Sequence, residues 1–148
     1  MEKTLADTKA FLDRKKEEVQ EVAELGSEAV FEVLVEEGNN LELLDNKEKI
    51  PENQVSGCQS ATYISVHVNQ GRVSFKGASD ALVVKGQLAI LLHALTGLPP
   101  QDVLSAKPLL ESFVRESGIQ KSMIRSRTNA FANMFARIER ELRAKHLL

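Results

Sequence analysis

One cysteine, Cys58, is the whole thiol inventory of the chain, and tryptophan is absent. A single thiol excludes an internal disulfide and fits a reducing cytoplasm. It also argues against a resident iron–sulfur cluster or structural zinc, which need about three or four Cys or His ligands. The three histidines, His67, His93 and His146, are far apart and form no ligand-spaced pair. No metal and no cofactor is therefore expected. No apolar run approaches the ~20 residues of a membrane span. Met1-Glu2-Lys3 opens into charged helix and not into the apolar core of a signal peptide. The formal net charge is −2, so broad electrostatics toward nucleic acid or membrane are not expected. Neither a G-x-S-x-G elbow nor an HExxH helix occurs, which removes support for a serine nucleophile or a zinc hydrolase.

What is present is ordinary for a globular protein. The 148 residues are 43% hydrophobic and 27% charged, enough for one domain, 1–148, with a real core. Thr4-Leu5-Ala6-Asp7 has capping-box character. Leu5, Leu12, Val19 and Val22 then recur at helical spacing opposite a charged face. Gly26 and Ser27 separate this helix from a second, with Ala29, Val30, Val33 and Leu34 inward and Gly38-Asn39-Asn40 as its stop. Leu41 to Ile50 is ambiguous. Pro51 imposes extended backbone before it, and Gln54-Val55 reads as a short first strand. Ala61 to Val68 alternates like a strand, Asn69 to Arg72 turns, and Val73 to Phe75 completes a hairpin.

Ser79 is expected to cap the next helix, with Asp80 in its first turn. Leu82 to Leu95 is apolar nearly all round, so this helix belongs in the centre. Gly86 within it costs about 1 kcal/mol relative to alanine, which points to close packing against another element. Pro100 to Leu104 and Pro108 to Ser117 read as short helices, the second ending at Gly118. Ser126 is expected to cap a final helix whose stripe is Phe131, Met134, Phe135, Ile138 and Leu142. Helices, a small antiparallel sheet, then helices make the fold class α+β.

Val55-Ser56-Gly57-Cys58-Gln59-Ser60 is the stretch with chemical content. Gly57 permits backbone that other residues resist, and an apolar strand follows at once. Cys58 therefore sits at a loop tip. On these residues alone two readings stand: the small hydrophobe that a lone cysteine usually is, or a reactive thiol. Gln59 and Ser60 either orient a group on the sulfur or hold their own turn.

Gly57-Cys58-Gln59-Ser60, Gly77-Ala78-Ser79-Asp80-Ala81, Val84-Lys85-Gly86 and Ser126-Arg127, in that order and spacing, resemble the SufE family. The resemblance runs from about Val55 to about Arg137. It implies a three-stranded antiparallel sheet packed against helices, with the cysteine on an inter-strand loop sheltered by apolar surface. It implies a sulfur acceptor that is not itself an enzyme. Cys58 would take persulfide sulfur from a SufS-type cysteine desulfurase, stimulate that enzyme, and pass sulfur to a SufBCD-type scaffold. The desulfurase, not this chain, would hold pyridoxal phosphate. Gly57, Gln59, Ser60, Asp80 and Arg127 would support the cysteine, with Arg127 either pairing with Asp80 or raising the thiolate fraction of Cys58. Lys85 matches the family too, but also reads as a plain surface charge. The alternative is an adaptor that binds a desulfurase without carrying sulfur. Three departures stand out: Tyr63 where many members have tryptophan, Ser122-Met123-Ile124-Arg125 where the family often has His and Pro, and Thr128-Asn129-Ala130 where the family often continues with glycine.

Overall fold

The computed structural model describes residues 2–58, 60–119 and 130–148. Six helices are seen among them: α1 (Leu5–Ala23), α2 (Ser27–Gly38), α3 (Leu82–Leu95), α4 (Pro100–Ser105), α5 (Lys107–Ser117) and α6 (Ala130–Ala144). Two strands, β1 (Thr62–Asn69) and β2 (Arg72–Ser79), pair antiparallel with Val66 opposite Phe75. The α+β class is as expected. The expected third strand is not formed. Gln54 makes only an isolated bridge to Tyr63. The residues before it, Pro51–Asn53, form a 3-10 turn with proline at its start, which leaves too short an extended segment for a ladder. Cys58 thus lies on a loop from that turn into β1, and not between two strands.

The hairpin is longer than its β-branched residues suggest. β2 runs through Gly77, Ala78 and Ser79. Gly77 is glycine because a methyl group there would meet Leu88 Cδ2 of α3 at 2.8 Å, the close approach that glycine inside a strand often marks. Its amide and carbonyl also pair with Glu42 and Leu44, so the ambiguous Leu41 to Ile50 segment lies along this edge before a 3-10 turn at Asn46–Glu48. Because β2 reaches Ser79, that residue does not cap α3; Ala81 does. Ser79 Oγ instead accepts the Ala81 N–H at 3.3 Å.

The capping box of α1 is formed, with Asp7 accepting the Thr4 N–H at 2.8 Å. Leu12 and Val19 face inward as their spacing requires. α3 is the hub: Leu88, Ile90, Leu91, Ala94 and Leu95 are all buried. α2 crosses it so tightly at Gly86 that a methyl group would overlap the Leu34 carbonyl. The apolar stripe of α6, Phe131, Met134, Phe135, Ile138 and Leu142, closes the same core beside β1. The expected cap at Ser126 lies outside the described residues.

Candidate functional site around Cys58

The loop is closed at its base by the Val55 N–H, which donates to the Thr62 carbonyl at 2.8 Å. Val55 and Thr62 are both buried, so the base is fixed in the core. At the tip Gly57 has φ +85, in the left-handed region where a side chain is strained. Space forbids one as well: a methyl group on Gly57 would stand 3.0 Å from Nδ2 of Asn133 on α6. Cys58 follows, partly buried, with its side chain packed on the core. Burial pushes its thiol up from the ordinary cysteine value, and a hydrogen bond from the Asn133 side chain pulls it partly back. At neutral pH the resting thiol is therefore protonated and slow.

Each limb of the loop is tied down. On the incoming limb, Arg137 of α6 is 1% exposed and donates to Asn53 Oδ1 at 3.1 Å and to Glu141 Oε2 at 3.2 Å. Asn53 in turn donates to the Glu48 carbonyl at 2.8 Å. On the outgoing limb, Asp80 makes a two-bond ring with Ala61. Its carboxylate accepts the Ala61 N–H at 3.1 Å, and its own N–H donates to the Ala61 carbonyl at 3.2 Å. Just beyond α6, Lys145 donates to the Val66 carbonyl at 2.9 Å. Positions 133, 137 and 141 of α6 are one turn apart, so a polar rail with Lys145 at its end runs beside the loop and β1.

Of the expected site residues, Gly57, Cys58 and Asp80 meet at this loop. Asp80 acts as an acceptor for backbone, not as a first-turn helix residue. Ser60 sits on the loop, but its hydroxyl bonds to Thr62 Oγ1 at 3.1 Å, which continues to Ser79 Oγ at 3.0 Å. That chain holds the turn. Gln59 and Arg127 lie outside the described residues. The Lys85 stem lies over Gly38, a packing role. His67 is exposed and bonds Ser65 at 3.0 Å, and His93 stacks on Phe11 with ring centroids 4.2 Å apart; neither contact belongs to the loop. Among the described residues, no group of three or more His, Cys, Asp or Glu could hold a metal ion.

Asn133 and Arg137 are the residues that sequence reasoning missed. A signal existed for Arg137: it follows Ala130 by seven and Met134 by three, on the periodic buried face.

Two substitutions separate the roles open to Asp80. Asp80→Asn keeps an acceptor for the Ala61 N–H and removes the charge. Asp80→Ala removes both. We expect Asp80→Ala to speed alkylation of Cys58 severalfold, with a stability loss of about 1 kcal/mol or less at this exposed position. Asp80→Asn should stay near wild type. Equal effects of the two on the alkylation rate would make the charge, not the acceptor, decisive.

The family described as SufE, Fe-S metabolism associated domain, matches residues 5–142. The chain belongs to the SufE family. An uncharacterized SufE-like protein of Synechocystis is 38% identical over 105 residues, covering 71% of this chain and 64% of that protein. The cysteine desulfuration protein SufE of Plasmodium falciparum is 34% identical over 107 residues, 69% of this chain and 42% of the relative. SufE-like protein 1 of Arabidopsis thaliana, named chloroplastic/mitochondrial, is 33% identical over 120 residues, 80% and 31% respectively. This SufE-family chain thus spans less than two thirds of each of these relatives. A solved hypothetical protein from Thermus thermophilus has the same fold, with a TM-score of 0.69 at 22% identity over 90% of this chain and 94% of that one. No described helix of this SufE-family chain is long and apolar enough to cross a membrane.

Proposed function

We propose that Cys58 accepts persulfide sulfur from a cysteine desulfurase and passes it on to iron–sulfur cluster assembly. The observation that supports this most is the seat of the only thiol. It lies half-sheltered on a short loop tied at both limbs, in a chain whose Plasmodium relative is named a cysteine desulfuration protein.

The chemistry is thiol exchange. Docking exposes Cys58 and a base takes its proton. The thiolate attacks the outer sulfur of the partner's Cys–S–SH. One S–S bond forms and one breaks, and the partner's sulfur leaves as a thiolate that takes up a proton. Cys58 ends as Cys–S–SH with no net redox change. The partner, a SufS-type desulfurase, supplies pyridoxal phosphate, and the downstream acceptor is a SufBCD-type scaffold. A persulfide is easily lost to thiols and oxidants, so a resting site that shelters sulfur suits a carrier. The energy to expose Cys58 comes from contacts made only in the complex. A reducing compartment suits the lone thiol, the cytoplasm first.

One observation favours the adaptor instead: burial holds the Cys58 thiol up, which slows attack. Intact-mass measurement decides between them. Incubation with a desulfurase and cysteine should add one sulfur, about 32 Da, at Cys58. Enhanced desulfurase turnover with no added mass would leave only the adaptor.

A further inference from the structure

Among the described residues, the side chain that meets the bend at Gly57 is a neutral amide on another element. α6 presents Asn133 to the loop, and one turn later Arg137 grips Asn53 on the incoming limb. Residues four apart on a helix share a face, so the Arg137 anchor also fixes where Asn133 meets the loop. The Asn133 carboxamide lies flat against Gly57, with Nδ2, Cγ and Oδ1 at 3.0, 3.1 and 3.2 Å from where a methyl group would be. Any side chain at position 57 would push the amide off the loop.

We propose that Asn133 is a positioning residue for Cys58: its carboxamide, fixed against Gly57, donates an N–H to the Cys58 sulfur and holds the thiol inward. Among the described residues, the charged groups beside the loop make contacts of their own, although Arg137 Nε is buried without a partner. Arg137 and Glu141 on α6 bond each other, Arg137 also bonds Asn53, and Asp80 after β2 bonds Ala61. The Asn133 amide is a neutral donor placed to favour the sulfur anion. A neutral donor suits a carrier. A lysine or arginine here would make a permanently reactive thiolate, and a hydrophobe would give a sheltered thiol with no stabilised anion at all. Burial keeps the thiol quiet at rest, and Asn133 retains a partner for the negative sulfur of a thiolate or persulfide.

The inference rests on Cys58 being the reacting thiol. It is read on the free protein, so it stands or falls separately from sulfur acceptance. Iodoacetamide alkylation of Cys58 is followed from neutral to alkaline pH in wild type, Asn133→Leu and Asn133→Asp. The midpoint of the rate profile reports the thiolate, and the alkaline plateau reports access. Asn133→Leu keeps the bulk and removes the donor, so its midpoint should move to higher pH. Its thiolate fraction at neutral pH should fall by roughly ten- to a hundredfold, the loss of one hydrogen bond to an ionised group. Asn133→Asp should move the midpoint higher still. An unchanged or lowered midpoint in Asn133→Leu, with helix content intact, overturns the assignment. If Asn133→Leu does not fold, an unchanged or lowered midpoint in Asn133→Asp does the same.

Discussion

Cys58→Ser should fold like the wild type, accept no sulfur and leave a desulfurase at its basal rate. The change swaps sulfur for oxygen in a partly buried position and removes no carbon. The hydroxyl can still receive the Asn133 hydrogen bond, so stability should change by about 1 kcal/mol or less. Chemistry is different. A serine hydroxyl is not ionised at neutral pH and is no match for a thiolate as a nucleophile toward a persulfide sulfur. No second thiol exists to take over. Intact mass and desulfurase turnover, measured on the same sample, check both halves. Full stimulation by Cys58→Ser would leave the chain as an adaptor. Sulfur added to Cys58→Ser would mean the wrong atom has been chosen.

Gly86→Ala should produce the largest loss of stability from the smallest change. In an open helix alanine would gain about 1 kcal/mol over glycine. Here the added methyl group falls on the α2 backbone, overlapping the Leu34 carbonyl oxygen and standing 2.6 Å from the carbonyl carbon. Backbone cannot turn aside as a side chain can, so α2 and α3 must separate. Overpacking of this kind costs about 1–3 kcal/mol and sometimes more. A net loss of roughly 2 kcal/mol or more is expected, a fall in melting temperature of about 4–8 °C for a chain of this size. Thermal and urea melts check it. If Gly86→Ala melts at or above wild type, helix propensity has won and the helix contact is looser than described.

How much of this is legible in the sequence depends on where each residue's partner lies. Leu12, Val19 and the Phe131 to Leu142 stripe announce their burial by spacing alone, because a helix repeats its face. Gly86 betrays a close contact because glycine in a buried helix otherwise has no reason to be there. The third strand fails because Gln54-Val55 is too short to outweigh the proline turn before it. The far half of β2 is hidden because Gly77, Ala78 and Ser79 look like a turn, and only Leu88 of α3 explains the glycine. Arg137 falls on the buried face of α6 by its spacing, but nothing near it in sequence says why a charge belongs there. Its reason is Asn53, 84 residues upstream, and no local pattern records such a pairing. Asp80 stands out by position, but its partner does not, since its bond to Ala61 depends on how the hairpin brings the two ends of the loop together.

The paired residues at the base of the loop also set a length. Val55 and Thr62 are joined backbone to backbone, and Cys58 stands three residues from one and four from the other. Extended chain covers at most about 3.3–3.6 Å per residue, so with that base intact the Cys58 backbone travels no more than about 10 Å from Val55. This is a short tether. It gives the thiol no freedom to search, in contrast to carriers that swing a cofactor on a long arm. On the proposed reading, a donor sulfur must be brought almost to the surface of the sheet before the two atoms can touch, so the shape of the docked pair, more than the motion of the loop, would decide which proteins can exchange sulfur with this one.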